Sequence, residues 1–153
     1  MKIATSRPGQ IAMAATLGVL LMSGAFAQPS DALPPIQKSG SVEYLSGGIG
    51  QDESTAIRKA SRQWPLTLEF AVRDKSQGVF AADVRILVRD AKGGAVLDTT
   101  SDGPFLLARL APGHYAVEAT FAGKTLRQSI SVRQSQPARA VFVWPAGTGM
   151  SDS

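Results

Sequence analysis

From Leu66 onward the apolar positions alternate with polar ones. In LTLEFAV, Leu66, Leu68, Phe70 and Val72 fall on one face; in ADVRILVRD, Val84, Ile86 and Val88 fall on one face, with Asp83, Arg85 and Arg89 opposite. A period of two is the signature of a half-buried strand. Punctuated runs continue through AVLDTT (95–100), PFLLARL (104–110), HYAVEATF (114–121), TLRQSISV (125–132) and RAVFVW (139–144). Between them lie AKGG, SDG, APG, AG and QSQP, where Gly supplies positive φ and Pro presets a turn. Seven strands this closely spaced leave no room for crossover helices. They predict an all-β fold, a seven-stranded antiparallel β-sandwich over residues 66–145.

The pattern differs ahead of Leu66. Residues 42–46 read as a short strand, broken by Gly47, Gly48 and Gly50, and residues 52–62 read as a short helix. Asp52 and Glu53 come first and Arg58, Lys59 and Arg62 last, an order that complements the helix macrodipole. Ile57 with Ala56 and Ala60 makes a narrow apolar stripe, and Pro65 stops the helix after Trp64. Residues 41–65 are therefore an N-terminal strand-turn-helix extension.

The first 27 residues read as a signal peptide: Lys2 and Arg7 are positive, residues 11–22 are apolar, and Ala25-Phe26-Ala27 fits small-x-small cleavage before Gln28. The apolar run is shorter than the roughly 20 residues that span a bilayer, so no membrane span is expected after cleavage. Residues 28–40, with three prolines, read as an extended linker, and residues 146–153 as a disordered tail. The chain has no cysteine, so stability in an oxidising compartment must come from packing. The periplasm is the expected location, with secretion as the alternative, because the chain has a tether and no cell-wall sorting signal.

Charge argues against nucleic acid. Losing Lys2 and Arg7 lowers the net charge from +4 to +2, and the remaining basic residues alternate with acidic ones along the strands.

Motifs for chemistry are sparse. GGIGQDE (48–53 from its second glycine) follows a strand and opens a helix, but Glu53 stands where a dinucleotide fingerprint needs its third glycine. Two acids at the helix start would also repel a pyrophosphate, which leaves a turn with Gln51 or Asp52 near the cap. A Ser-His-Asp set would have to use His114, the one histidine, with Asp102 or Glu118 as partner. One histidine and no cysteine do not make a zinc site, and Asp98 to Gly103 lacks the ligand spacing of an EF-hand loop. No catalytic residue, metal or cofactor is assigned. Trp64 and Trp144 are the candidate binding residues: with Tyr44 and Tyr115 they would form an aromatic surface for sugar or peptidoglycan if flat and exposed, and would cap the core if buried.

Gly103 and Phe105, then Leu110, Pro112, Gly113, Tyr115 and Val117, then Gly123, resemble the G-x-F … L-x-P-G-x-Y-x-V … G pattern of carboxypeptidase regulatory-like domains and the related Cna B-type and transthyretin-like (prealbumin-like) sandwiches. The resemblance covers roughly residues 66–144. It implies an Ig-like sandwich in which Phe105 and Leu107 face Tyr115, Val117 and Ala119 across a hairpin reversed at Pro112 and Gly113. In the carboxypeptidases such a domain is an accessory to a catalytic zinc domain, which this chain lacks. The Lys-Asn isopeptide bond of Cna B-type domains has no asparagine to use, and the histidines and Tyr-Arg-Gly-Ser end of hydroxyisourate hydrolases are not matched.

The expected function is an exported, non-catalytic binding or structural module that contacts an envelope protein or polymer through an edge strand or loops. A carbohydrate- or peptidoglycan-binding module and a small periplasmic hydrolase are the competing classes. If Gly113 needs positive φ, Gly113→Val should cost about 1 kcal/mol or more.

Overall fold

A computed structural model describes residues 33–75 and 77–150. The expected signal peptide, most of the linker before Leu33 and the last three residues of the tail lie outside the described residues.

Among the described residues the chain is mostly β, with two sheets packed face to face and one short α-helix. Its elements are β1 (Gln37–Ser39), β2 (Val42–Gly47), α1 (Gln51–Ala60), β3 (Leu66–Asp74), β4 (Gln77–Phe80), β5 (Val84–Arg89), β6 (Ala95–Ser101), β7 (Phe105–Ala108), β8 (Gly113–Phe121), β9 (Lys124–Val132) and β10 (Ala138–Trp144). One sheet runs β1-β2-β7-β3-β10, with β4 also paired to β3; the other runs β6-β5-β8-β9.

Each of the seven runs forms a strand, but β4 adds an eighth between Leu66 and Trp144, and several other expectations need correction. First, Gln37–Ser39 is a strand paired antiparallel to β2, so the linker ends before Gly40. Its side chains are polar, and what holds it is backbone pairing plus a 3.0 Å hydrogen bond from Tyr44 Oη to Gln37 Oε1. Second, β2 is no appendage: it sits between β1 and β7 and contributes Val42 and Tyr44 to the main core. Third, the sandwich is not wholly antiparallel, because β10 lies parallel to β3 from Ala138↔Leu66 to Trp144↔Val72.

The main core is filled by alternate residues of both sheets. Leu66, Leu68, Phe70, Phe142 and Trp144 come from one, and Val84, Ile86, Val88, Leu97 and Val117 from the other. Around Trp144 the aromatics cluster: its ring centroid lies 5.5 Å from that of Phe121 and 6.4 Å from those of Phe70 and Phe142. Tilted contacts in this distance range are the favoured aromatic geometry. Its Nε1 donates to the Lys124 carbonyl at 2.9 Å, so the buried indole leaves no donor unpaired.

A second, smaller core lies on the opposite face of the first sheet. Here Leu45, Phe105 and Leu107 meet Ile57 of α1 and Trp64. Strands β2 and β7 are thus buried on both faces, and Phe105 and Leu107 point to the helix while Leu106 and Ala108 point into the main core. The expected pairing of Phe105 and Leu107 with Tyr115 and Val117 does not occur. Strands β7 and β8 belong to different sheets, and residues 109–112 carry the chain from one sheet to the other instead of closing a hairpin.

Gly113 opens β8 outside the positive-φ region. A Cβ there would meet the Tyr115 ring at 3.7 Å, an ordinary contact. We therefore expect Gly113→Ala to shift the unfolding free energy by less than about 1 kcal/mol in urea titrations, because the substitution removes only chain entropy from the unfolded state. A larger loss would mean that the crossover needs glycine after all.

The glycines that matter are at the other end. Gly48 has φ +100, and a Cβ on it would strike the Phe105 ring; a Cβ on Gly103 would collide with the Gly47 backbone. Glu53 Oε1 accepts the Gly48 N–H at 2.6 Å, and Ser46 Oγ accepts the Asp102 N–H at 3.1 Å. The GGIGQDE run therefore builds a close-packed corner where β2 enters α1, with Gly50 at φ +92 as the cap residue.

Candidate functional site

Of the two candidate tryptophans, Trp144 is fully buried and Trp64 is 4% exposed. Neither offers the flat exposed platform on which a sugar stacks. Both take the core-capping role, Trp144 in the main core and Trp64 in the smaller one. The guanidinium of Arg109 covers Trp64, 4.2 Å from the ring centroid, and Arg109 Nε is held 3.4 Å from Glu43 Oε2.

His114 is exposed on the outer face of the second sheet. Its Nδ1 lies 2.9 Å from Ser131 Oγ, the residue directly opposite on β9. Neither expected carboxylate joins them. Glu118 is bound by Arg127 at 2.8 Å, a hydrogen bond that holds its carboxyl below the usual range, and Asp102 is bonded to Ser46 across the molecule. Asp90 borders the shallow depression beside His114, but its Oδ1 accepts the Lys92 and Gly94 amides of its own turn. An imidazole and a hydroxyl without an orienting acid are an incomplete set for acyl transfer. No group of three His, Cys, Asp or Glu residues suited to a metal occurs among the described residues.

A concavity opens at the end of the sandwich where β3 begins and β9 ends. It is a cleft of about 360 Å³ between residues 62–65, the β7–β8 crossover at Leu110 and Pro112, and the β9–β10 turn at residues 132–137. Each wall has a local cause. A 3₁₀ turn over Ser61–Gln63 ends where Trp64 turns extended (φ −108°, ψ 138°), as Pro65 requires of the residue before it. The crossover is pinned by Tyr115 Oη, which donates to the Ala111 carbonyl at 2.6 Å. Burial raises the phenol above its ordinary pKa, and the Asp90 charge adds to the effect, so this donor keeps its proton. In the third wall Ser135 takes φ 61° and the Gln136 N–H reaches the Arg133 carbonyl at 3.4 Å. The Ala138 N–H bonds the Pro65 carbonyl at 2.9 Å and ties this turn to the first wall.

The charges are one-sided. Arg62 and Arg133 line the cleft, and no acidic residue does. Neither arginine makes a salt bridge among the described residues, whereas Arg85, Arg109, Arg127 and Arg139 each have a carboxylate partner. Leu110 and Val132 give the cleft an apolar floor, and Gln63, Gln134 and Gln136 add amides at the rim. Sequence reading missed this site because its three walls read separately as a helix stop, a turn and a loop.

Compared with known proteins, the chain matches no family model and no curated sequence.

Proposed function

We propose that this protein is an exported, non-catalytic β-sandwich module of the cell envelope, that its core is of the carboxypeptidase regulatory-like type, and that it binds a partner through the cleft bounded by Trp64. The observation that carries this reading is a pair of arginines, without a salt-bridge partner among the described residues, lining a cleft with an apolar floor. Charged groups on a rigid scaffold, positioned by loops, are the usual basis of recognition. The resemblance across residues 103–123 supports the accessory role, since such domains serve as binding or spacing modules. The signal-like N-terminus supports a periplasmic location.

Site-specific photo-cross-linking in cells tests the reading. A cross-linker at Gln134 should trap one discrete partner, and the same group at Thr120, on the outer face of the second sheet, should not. Equal trapping from both positions would reject the cleft as the binding surface. In the same preparation the processed chain should begin at Gln28, as read by N-terminal sequencing; an intact N-terminus would reject the assigned signal cleavage.

A further inference from the structure

The chemistry of the cleft selects its ligand. We infer that it takes an acidic, extended peptide segment of another protein, an inference that rests on the binding role proposed above.

The charged and amide groups of the lining are chiefly donors. Arg62 and Arg133 supply guanidinium forks with no acceptor function, and no carboxylate competes for them. A guanidinium with no carboxylate partner among the described residues is matched best by a carboxylate, which it can bind through two parallel hydrogen bonds. The Trp64 indole N–H makes no hydrogen bond among the described residues, and Trp64 lines the cleft. A main-chain carbonyl would satisfy it, and the glutamine amides can pair with further main-chain groups.

The same features disfavour a glycan. Sugar recognition relies on an exposed aromatic face, and Trp64 is 4% exposed with Arg109 lying over its ring. What the walls present instead are Pro65, Pro112 and Pro137, with Trp64 largely covered. Prolines carry no N–H, so they make apolar ledges against which the side chains of an extended peptide can lie. The described N-terminal segment does not obstruct the site. Pro34 packs beside Gly47, at the opposite end of the sandwich from the cleft.

The test uses fluorescence polarisation with a fluorescein-labelled Glu-Pro repeat peptide, in low salt and then with increasing salt. The wild-type chain should bind it, with affinity falling as salt screens the arginines. The double variant Arg62→Ala/Arg133→Ala should bind about tenfold or more weakly, the loss that removal of one well-formed charged contact brings. Both side chains are exposed, so this variant should keep the wild-type melting temperature. Arg62→Lys/Arg133→Lys should recover part of the affinity, and a Lys-Pro repeat should not bind. Binding of the Glu-Pro peptide that is indifferent to the double alanine variant would overturn the inference. So would tighter binding of polygalacturonate than of the peptide, which would indicate a polyanionic glycan. Discrete cross-linking at Gln134 with no peptide binding would overturn the acidic-peptide inference alone and leave the cleft as a binding surface.

Discussion

Trp144→Ala should cost the domain about 4 kcal/mol of unfolding free energy, read as a lower midpoint in urea. The residue is fully buried, touches three other aromatic rings and supplies the donor to the Lys124 carbonyl. Truncation empties a volume that Phe70, Phe121 and Phe142 cannot collapse into, because their own strands are fixed by register. Total stability of a domain this size is on the order of 5–15 kcal/mol, so the variant would be close to unfolding. Trp144→Phe separates the contributions. It keeps most of the ring volume, loses the hydrogen bond, and should cost about half as much. Equal losses for the two variants would mean that the hydrogen bond, and not the packing, is decisive.

Gly103→Ala should destabilise by about 3 kcal/mol although it adds a single methyl group. The added Cβ would run into the carbonyl group of Gly47, which is backbone and cannot rotate aside as a side chain would. Relief requires β2 to move away from the turn before β7, and that disturbs the Gly47↔Phe105 pairing and the bond between the Asp102 amide and Ser46. Gly123→Ala is the control. Its φ of +77 is a glycine conformation that Gly103 does not share, and a Cβ there meets nothing within 4 Å, so it should lose only the conformational term of about 1 kcal/mol. If the two variants proved equally stable, close approach at Gly103 would not be the reason for its glycine.

Much of the β architecture is legible in the sequence, because half-burial writes itself as alternation. Six of the seven runs from Leu66 to Trp144 alternate and form strands for that reason. Alternation is silent where a strand is buried on both faces: FLLA in β7 is apolar throughout, and nothing local says that Phe105 faces a helix while Leu106 faces the other sheet. It is equally silent where a strand is held by backbone pairing and a few side-chain hydrogen bonds, without apolar burial, as in the polar Gln37–Ser39. The Pro112-Gly113 pair shows a further limit. Turn chemistry announces that the chain bends, but the choice between a hairpin and a crossover depends on which strands compete for the adjacent edge, and β5 and β9 take both edges of β8. The tryptophans are candidate binding residues by sequence, and only the structure shows both of them closing cores. The cleft was not legible, because its arginines stand 71 positions apart in numbering and only the topology brings 62 and 133 to one rim.

The parallel pairing of β10 with β3 also fixes an order of assembly. The second sheet contains two hairpins of neighbouring strands, β5–β6 and β8–β9, whose loops close quickly. The first sheet has short hairpins of its own in β1–β2 and β3–β4, but its centre cannot form that way: β2 waits for β7, and β3 waits for both β7 and β10, which arrive long after it in the chain. Such non-local topologies fold on the millisecond to second timescale. The inner faces of β3 and the hairpin sheet therefore stay uncovered until β10 docks. A chain emerging from its N-terminus through a narrow passage would remain pliable for nearly its whole length and lock only at the last strand.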